Sequence, residues 1–91
     1  MIIEYSEIFD KSVKKIKNNV GFKRLKKIIE KLKVANSLKE ISNVVPIANH
    51  PFLYRIRTGD YCLIVEYYDG EITILLIEYL KKDDNTYKNY N

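Results

Sequence analysis

Two turn signals inside one β-rich run, Phe52 to Leu80, restrict this chain more than any other feature. Thr58-Gly59-Asp60 separates Phe52-Leu53-Tyr54-Arg55-Ile56-Arg57 from Tyr61-Cys62-Leu63-Ile64-Val65-Glu66-Tyr67, and Asp69-Gly70 leads into Ile72-Thr73-Ile74-Leu75-Leu76-Ile77. Asp-Gly between such runs is a strong hairpin signal, because glycine reaches the positive φ that tight hairpin turns need. Two-residue loops would set Thr58 opposite Tyr61 and Tyr68 opposite Glu71, and strand alternation then sorts the side chains. One face receives Phe52, Tyr54, Ile56, Tyr61, Leu63, Val65, Tyr67, Ile72, Ile74 and Leu76, and is expected to pack on helices. The other receives Leu53, Arg55, Arg57, Cys62, Ile64, Glu66, Thr73, Leu75, Ile77 and Tyr79, with Lys81 at its end. Cations among apolar residues on that face predict an open, basic groove. A three-residue first loop would move both arginines across the sheet, but the two-residue register separates polar from apolar more cleanly.

Ninety-one residues, 46% hydrophobic and 31% charged, suit one small globular domain over 1–91. A lone cysteine, Cys62, allows neither a disulfide framework nor a cysteine-rich zinc site, which fits a reducing cytoplasm. The opening residues lack a basic leader followed by a long apolar run, and no segment reaches membrane-spanning length, so neither secretion nor membrane insertion is expected. The net charge of +4 is unevenly spread. Residues 1–33 hold ten of the sixteen Lys and Arg against four acids, a net +6, which leaves −2 for the remainder. A cationic helical layer favours polyanions, RNA, DNA or an acidic partner, although lysines also serve simply to solvate a helix.

Met1 to Tyr5 reads as a first strand. Ser6 is placed as the N-cap of a helix running to about Asn18, with Ile8, Phe9, Val13, Ile16 and Val20 supplying its apolar side. Gly21 is read as a break before a second helix, in which Phe22, Leu25, Ile28, Ile29 and Leu32 recur at helical spacing. Ser37 and Glu40 have capping-box spacing around a short helical turn. Asn43 to Pro51 is read as a loop, and the polar, tyrosine-containing segment after Leu80 as a tail that orders on a surface or partner. The resulting order, β-α-α-β-β-β, with helices on one side of an antiparallel sheet, is α+β.

No glycine-rich phosphate loop, zinc-protease motif or hydrolytic triad is present, and no metal or other cofactor is expected. His50 precedes Pro51 in the loop, where a packing role outweighs that of a general base. Arg55 and Arg57 carry the sharper signal, since guanidinium holds phosphate through paired donors and stabilises charge developing on it. Pairing with Glu66 is the alternative for them; Glu78 is expected on the opposite face. Lys81, Lys82, Tyr87 and Tyr90 lie close enough to the last strand to reach the groove rim, where tyrosine can stack on a base, move a proton or merely fasten the tail.

The string Tyr54-Arg55-Ile56-Arg57-Thr58-Gly59-Asp60-Tyr61, together with the element order, the Lys-rich helices and the basic, tyrosine-containing C-terminus, resembles the RelE/ParE superfamily of type II toxin-antitoxin toxins. The resemblance implies a microbial-ribonuclease-like fold and a toxin that is a monomer when free and a heteromer with its antitoxin. In the RelE branch it implies a metal-independent endoribonuclease that cuts messenger RNA on the ribosome. Carried over by position, Arg55, Lys82 and Tyr87 become catalytic, Arg57, Lys81 and Tyr90 contact the substrate, and Lys14, Lys15, Lys23, Lys26 and Lys27 dock the ribosome or another polyanion. Leu53, Ile64 and Leu75 are expected to be exposed and to suit an antitoxin segment.

Cys62 departs from that pattern. RelE-like sequences usually carry arginine directly after the Gly-Asp-Tyr turn, and a neutral thiol supplies no fixed charge. Lysine at Lys82 also lacks the guanidinium fork. Two alternatives therefore stand beside the ribonuclease: a ParE-like inhibitor of DNA gyrase without nuclease activity, and a weakened toxin retained for antitoxin binding.

Overall fold

The computed structural model describes residues 1–90, apart from the side chains of residues 85–87. Strand β1 (Ile2–Tyr5) leads into α1 (Glu7–Lys14) and α2 (Asn19–Val34), followed by a short 3-10 turn at Leu38–Glu40. Four strands follow, β2 (Val44–Pro46), β3 (Leu53–Thr58), β4 (Tyr61–Glu66) and β5 (Thr73–Lys81), and a 3-10 helix at Asn85–Tyr90 ends the described chain. The sheet order is β1-β5-β4-β3-β2.

This is the α+β class read from the sequence, with two differences in the sheet. Strand β1 runs parallel to β5, so the sheet is mixed. Strand β2 lies inside the segment read as a loop and adds an antiparallel edge to β3. Three residues with a proline at the end show no period long enough to read, and proline is tolerated there because an edge strand need not donate on its outer side.

Ser6 caps α1 as expected, its hydroxyl accepting from Phe9 N–H at 2.9 Å. The helix stops at Lys14, earlier than the apolar spacing suggested, because Asn18 instead caps α2 by accepting from Val20 N–H. Gly21 lies within α2 and breaks nothing. It is buried against the Tyr61 ring, where a Cβ would come within 2.9 Å of Cζ. From α2, Leu25, Ile28 and Leu32 descend onto Ile56, Leu63, Val65, Ile74 and Leu76 of the sheet. Each such side chain contributes about 1.5–3 kcal/mol when fully buried. Phe52 and Ile72, assigned to the same face, lie at strand ends and stay exposed.

The first hairpin has the expected register: Thr58 faces Tyr61, Arg57 faces Cys62 and Arg55 faces Ile64, with Gly59 at φ +58°. At the second, Glu71 N–H donates to Tyr68 O across the turn, but the ladder starts with Glu66 opposite Leu75. A bulge between Ile64 and Val65 then leaves Ile77 as the extra residue of β5. Helix α1 satisfies the backbone there. The Ser6 hydroxyl donates to Ile77 O at 2.6 Å, and Ser12 Oγ accepts from Tyr79 N–H at 3.0 Å while donating to Phe9 O.

Candidate nucleic-acid interface

The bulge exchanges the faces of the last residues of β5. Tyr79, expected in the groove, turns to the helix side, stacks on Tyr61 with ring centroids 5.2 Å apart, and donates its hydroxyl proton to Gly21 O. Glu78 and Leu80 take the groove side instead. The expectation that Glu78 lies away from the arginines is therefore corrected: one extra residue in an antiparallel strand reverses the side-chain alternation beyond it. Nothing in the composition of Ile72–Leu80 marks where such a bulge falls.

The groove face is also not open. Cys62, Ile64 and Leu80 form a second apolar cluster with Ile47 there, and Leu53, Ile77 and Tyr90 pack onto it. Tyr90, from the C-terminal 3-10 helix, donates its hydroxyl proton to Glu78 Oε1 at 2.5 Å, and its carbonyl accepts from Arg55 Nη2 at 2.8 Å. Ile64 is wholly buried, and Leu53 and Leu75 are half-buried, which corrects their placement as exposed contacts for a partner. The physical reason lies in the composition of this face: too much of it is apolar to stay in water, and the C-terminal segment covers it.

The candidate residues separate accordingly. Arg57 is exposed at the end of β3, while Arg55 is half-buried beneath Tyr90. Lys82 is exposed just past β5, its backbone N–H donating to Asp60 O, and it shares with Arg55 and Arg57 an electrostatic pull on Cys62. Lys81 ends β5 opposite Tyr61 and is exposed. The Tyr87 side chain lies outside the described residues. Lys14, Lys15, Lys23, Lys26 and Lys27 are exposed on or beside the two helices. His50 is exposed in the turn between β2 and β3.

Burial pushes the Cys62 thiol up to about 11, against the pull of Arg55, Lys82 and Arg57. At neutral pH it is an uncharged, fully buried group among three cations and Glu78. Burial also raises the Tyr90 hydroxyl, reinforced by its hydrogen bond to Glu78. Both groups are neutral under physiological conditions, so the positive charge of this face comes from Arg55, Arg57 and Lys82, partly offset by Glu78.

No protein-family model and no curated protein matches the sequence. Among solved structures, the chain is similar to one from the RelB-RelE antitoxin-toxin complex of Methanococcus jannaschii, at 27% identity, 97% coverage of this chain, 99% of that chain and a TM-score of 0.78. A chain of the RelE-RelB complex from Pyrococcus horikoshii OT3 is similar at 17% identity, covering 90% and 94%, with a TM-score of 0.69. The isolated E. coli RelE toxin is similar at 20% identity, covering 97% and 92%, with a TM-score of 0.63. These likenesses run nearly end to end in both chains compared, so a helical layer on one side of a five-stranded mixed sheet is the fold of RelE toxins. The chain is similar to RelE toxins over nearly its whole length, as the strand-turn-strand residues Tyr54 to Tyr61 suggested.

Proposed function

We propose that this chain is the toxin of a type II toxin-antitoxin pair, bound and neutralised by a cognate antitoxin protein, and that it cuts messenger RNA on the ribosome in the cytoplasm. The observation that carries the reading is the pair Arg55 and Arg57 on the helix-free face of a RelE-type sheet, with Lys82 converging from the end of β5. Antitoxin-toxin complexes among its structural relatives support the partner.

In this reading Arg57 holds a phosphate flanking the scissile bond, and Arg55 and Lys82 stabilise the charge that develops on phosphorus. A ribose 2′-hydroxyl attacks the adjacent phosphate and gives up its proton, the phosphorus to 5′-oxygen bond breaks, and a proton is delivered to the departing 5′-oxygen. Guanidinium suits this step because it stays charged and offers paired donors. Tyr87 is the tyrosine proposed for proton transfer or base stacking, with Lys81 and Tyr90 at the rim. For Arg55 to meet a phosphate, the Tyr90 carbonyl must release it. The exposed lysines Lys14, Lys15, Lys23, Lys26 and Lys27 are proposed to face ribosomal RNA.

Cys62 favours a second reading, in which nuclease activity is weak or lost and the chain acts as a gyrase inhibitor or only binds its antitoxin. Its buried, neutral thiol stands where RelE-like sequences place an arginine, and loss of one such charge costs a factor of about 100 to 1,000 in rate. Induced expression of the wild-type chain separates the two. Arrested translation that Arg57→Ala relieves is expected from the nuclease; altered DNA supercoiling with translation intact, or harmless expression, would overturn it.

A further inference from the structure

Beyond the sheet groove, α2 and the β2–β3 edge enclose a cleft of about 280 Å³. Arg24, Lys27 and Lys31 of α2 form one wall, and Asn43, Arg57 and Thr58 the other. Ile28 and Ile56 contribute to its lining, and no acidic side chain does. Helical spacing explains the first wall: residues three and four apart stand one above another on a helix face. None of these four cations forms an ion pair with a described residue.

Arg24 is held in place. Its guanidinium lies directly against Gly59, where a Cβ would fall 1.2 Å from Nη1, and Nη1 donates to Thr58 O at the long distance of 3.5 Å. One weak bond leaves most of the five donors of this half-buried group available. Like charges gathered in a cleft repel one another unless an anion joins them. Arg57 lines the cleft and also follows Arg55 along β3, so it joins the groove to the cleft around the sheet edge.

We propose that this cleft binds the phosphodiester backbone of an RNA strand, holding the part that leaves the groove past Arg57. The inference rests on the RNA reading above and adds a second anchoring site to it, in which Lys27 serves the leaving strand while Lys14, Lys15, Lys23 and Lys26 are left to ribosomal RNA. Three cations one above another along one helix face favour a threaded, repeating polyanion over a compact metabolite. An acidic protein segment is the competing occupant, and the test distinguishes it.

The experiment measures binding of a fluorescein-labelled 12-nucleotide oligouridine to the full chain across salt concentrations. Each phosphate contact with single-stranded nucleic acid contributes about 0.7 to the slope of log affinity against log salt. The proposal predicts that Lys27→Gln/Lys31→Gln lowers the slope by about 1.4, while the charge-matched surface pair Lys11→Gln/Lys33→Gln changes it little. Arg55→Gln tests the groove separately in the same titration. Equal loss from both lysine pairs would overturn the cleft, because it would mean that only net charge matters, yet would leave the nuclease reading standing. An unchanged slope with weakened binding of polyglutamate would overturn it in favour of an acidic protein segment. Absence of salt-dependent RNA binding by the wild-type chain would also overturn it, and ribosomal cleavage would then judge the nuclease reading on its own.

Discussion

The Tyr90 hydroxyl donates to Glu78 Oε1 at 2.5 Å, and this contact fastens the C-terminal helix over the face that bears Arg55 and Cys62. Glu78 is 8% exposed, so loss of the donor leaves a carboxylate short of a partner in a nearly dry site. Tyr90→Phe is expected to cost about 1.5–3 kcal/mol, the range for hydrogen bonds to charged groups. Urea denaturation measures that cost. A thiol reagent should also label Cys62 faster in the variant, and an unchanged labelling rate would contradict the fastening role.

Ser12 serves β5 from the other side. Its hydroxyl accepts from Tyr79 N–H and donates to Phe9 O, both in the buried interior. Ser12→Ala should cost about 1–3 kcal/mol, because the Tyr79 N–H just past the bulge loses its acceptor. Chemical denaturation gives the loss, and amide hydrogen exchange at Tyr79 should accelerate with it.

Gly59 combines a positive φ with the close approach of Arg24. Gly59→Ala should cost about 1–2 kcal/mol from the backbone alone, and more because Arg24 must move. The two contributions separate in a double-mutant cycle: with Arg24→Ala already present, the same glycine substitution should cost less. Equal cost in both backgrounds would show that Arg24 is not pressed against the turn.

Stability should fall in alkali. Cys62 titrates from an ordinary 9.0 up to about 11 in the folded chain, and Tyr79 and Tyr90 are also raised, chiefly by burial. A raised folded pKa stabilises the protein fully below the unfolded value, and that contribution is lost as pH rises through the folded value. Thermal unfolding midpoints should therefore show no contribution from these groups to pH dependence until about pH 9, and decline above it. Cys62→Ala should flatten the part of the decline between about pH 9 and 11.

Much of this architecture was legible because local chemistry and tertiary structure agree. Gly59-Asp60 sets the first hairpin register, which places Arg55 and Arg57 together on the helix-free face, and Ser6 caps the first helix. The parts that escaped depend on long-range pairing. The Ile77 bulge is supported by Ser6 and Ser12, residues more than sixty positions away, and it alone decides that Glu78 faces the groove and Tyr79 the core. The tail carries no helical period, yet Tyr90 finds Glu78 and Arg55 once the bulge has turned Glu78 outward. Arg24 also passed as one cation among ten; only the turn packed against it distinguishes it.

Primer extension on messenger RNA held by programmed ribosomes tests the central claim most directly. The account predicts discrete cleavage in the A-site codon by the wild-type chain, reduced at least about 100-fold by Arg55→Ala, the scale of losing one transition-state contact. Intact messenger RNA at a toxin concentration that arrests growth would contradict the nuclease, and would assign the toxicity of this RelE-like fold to another target.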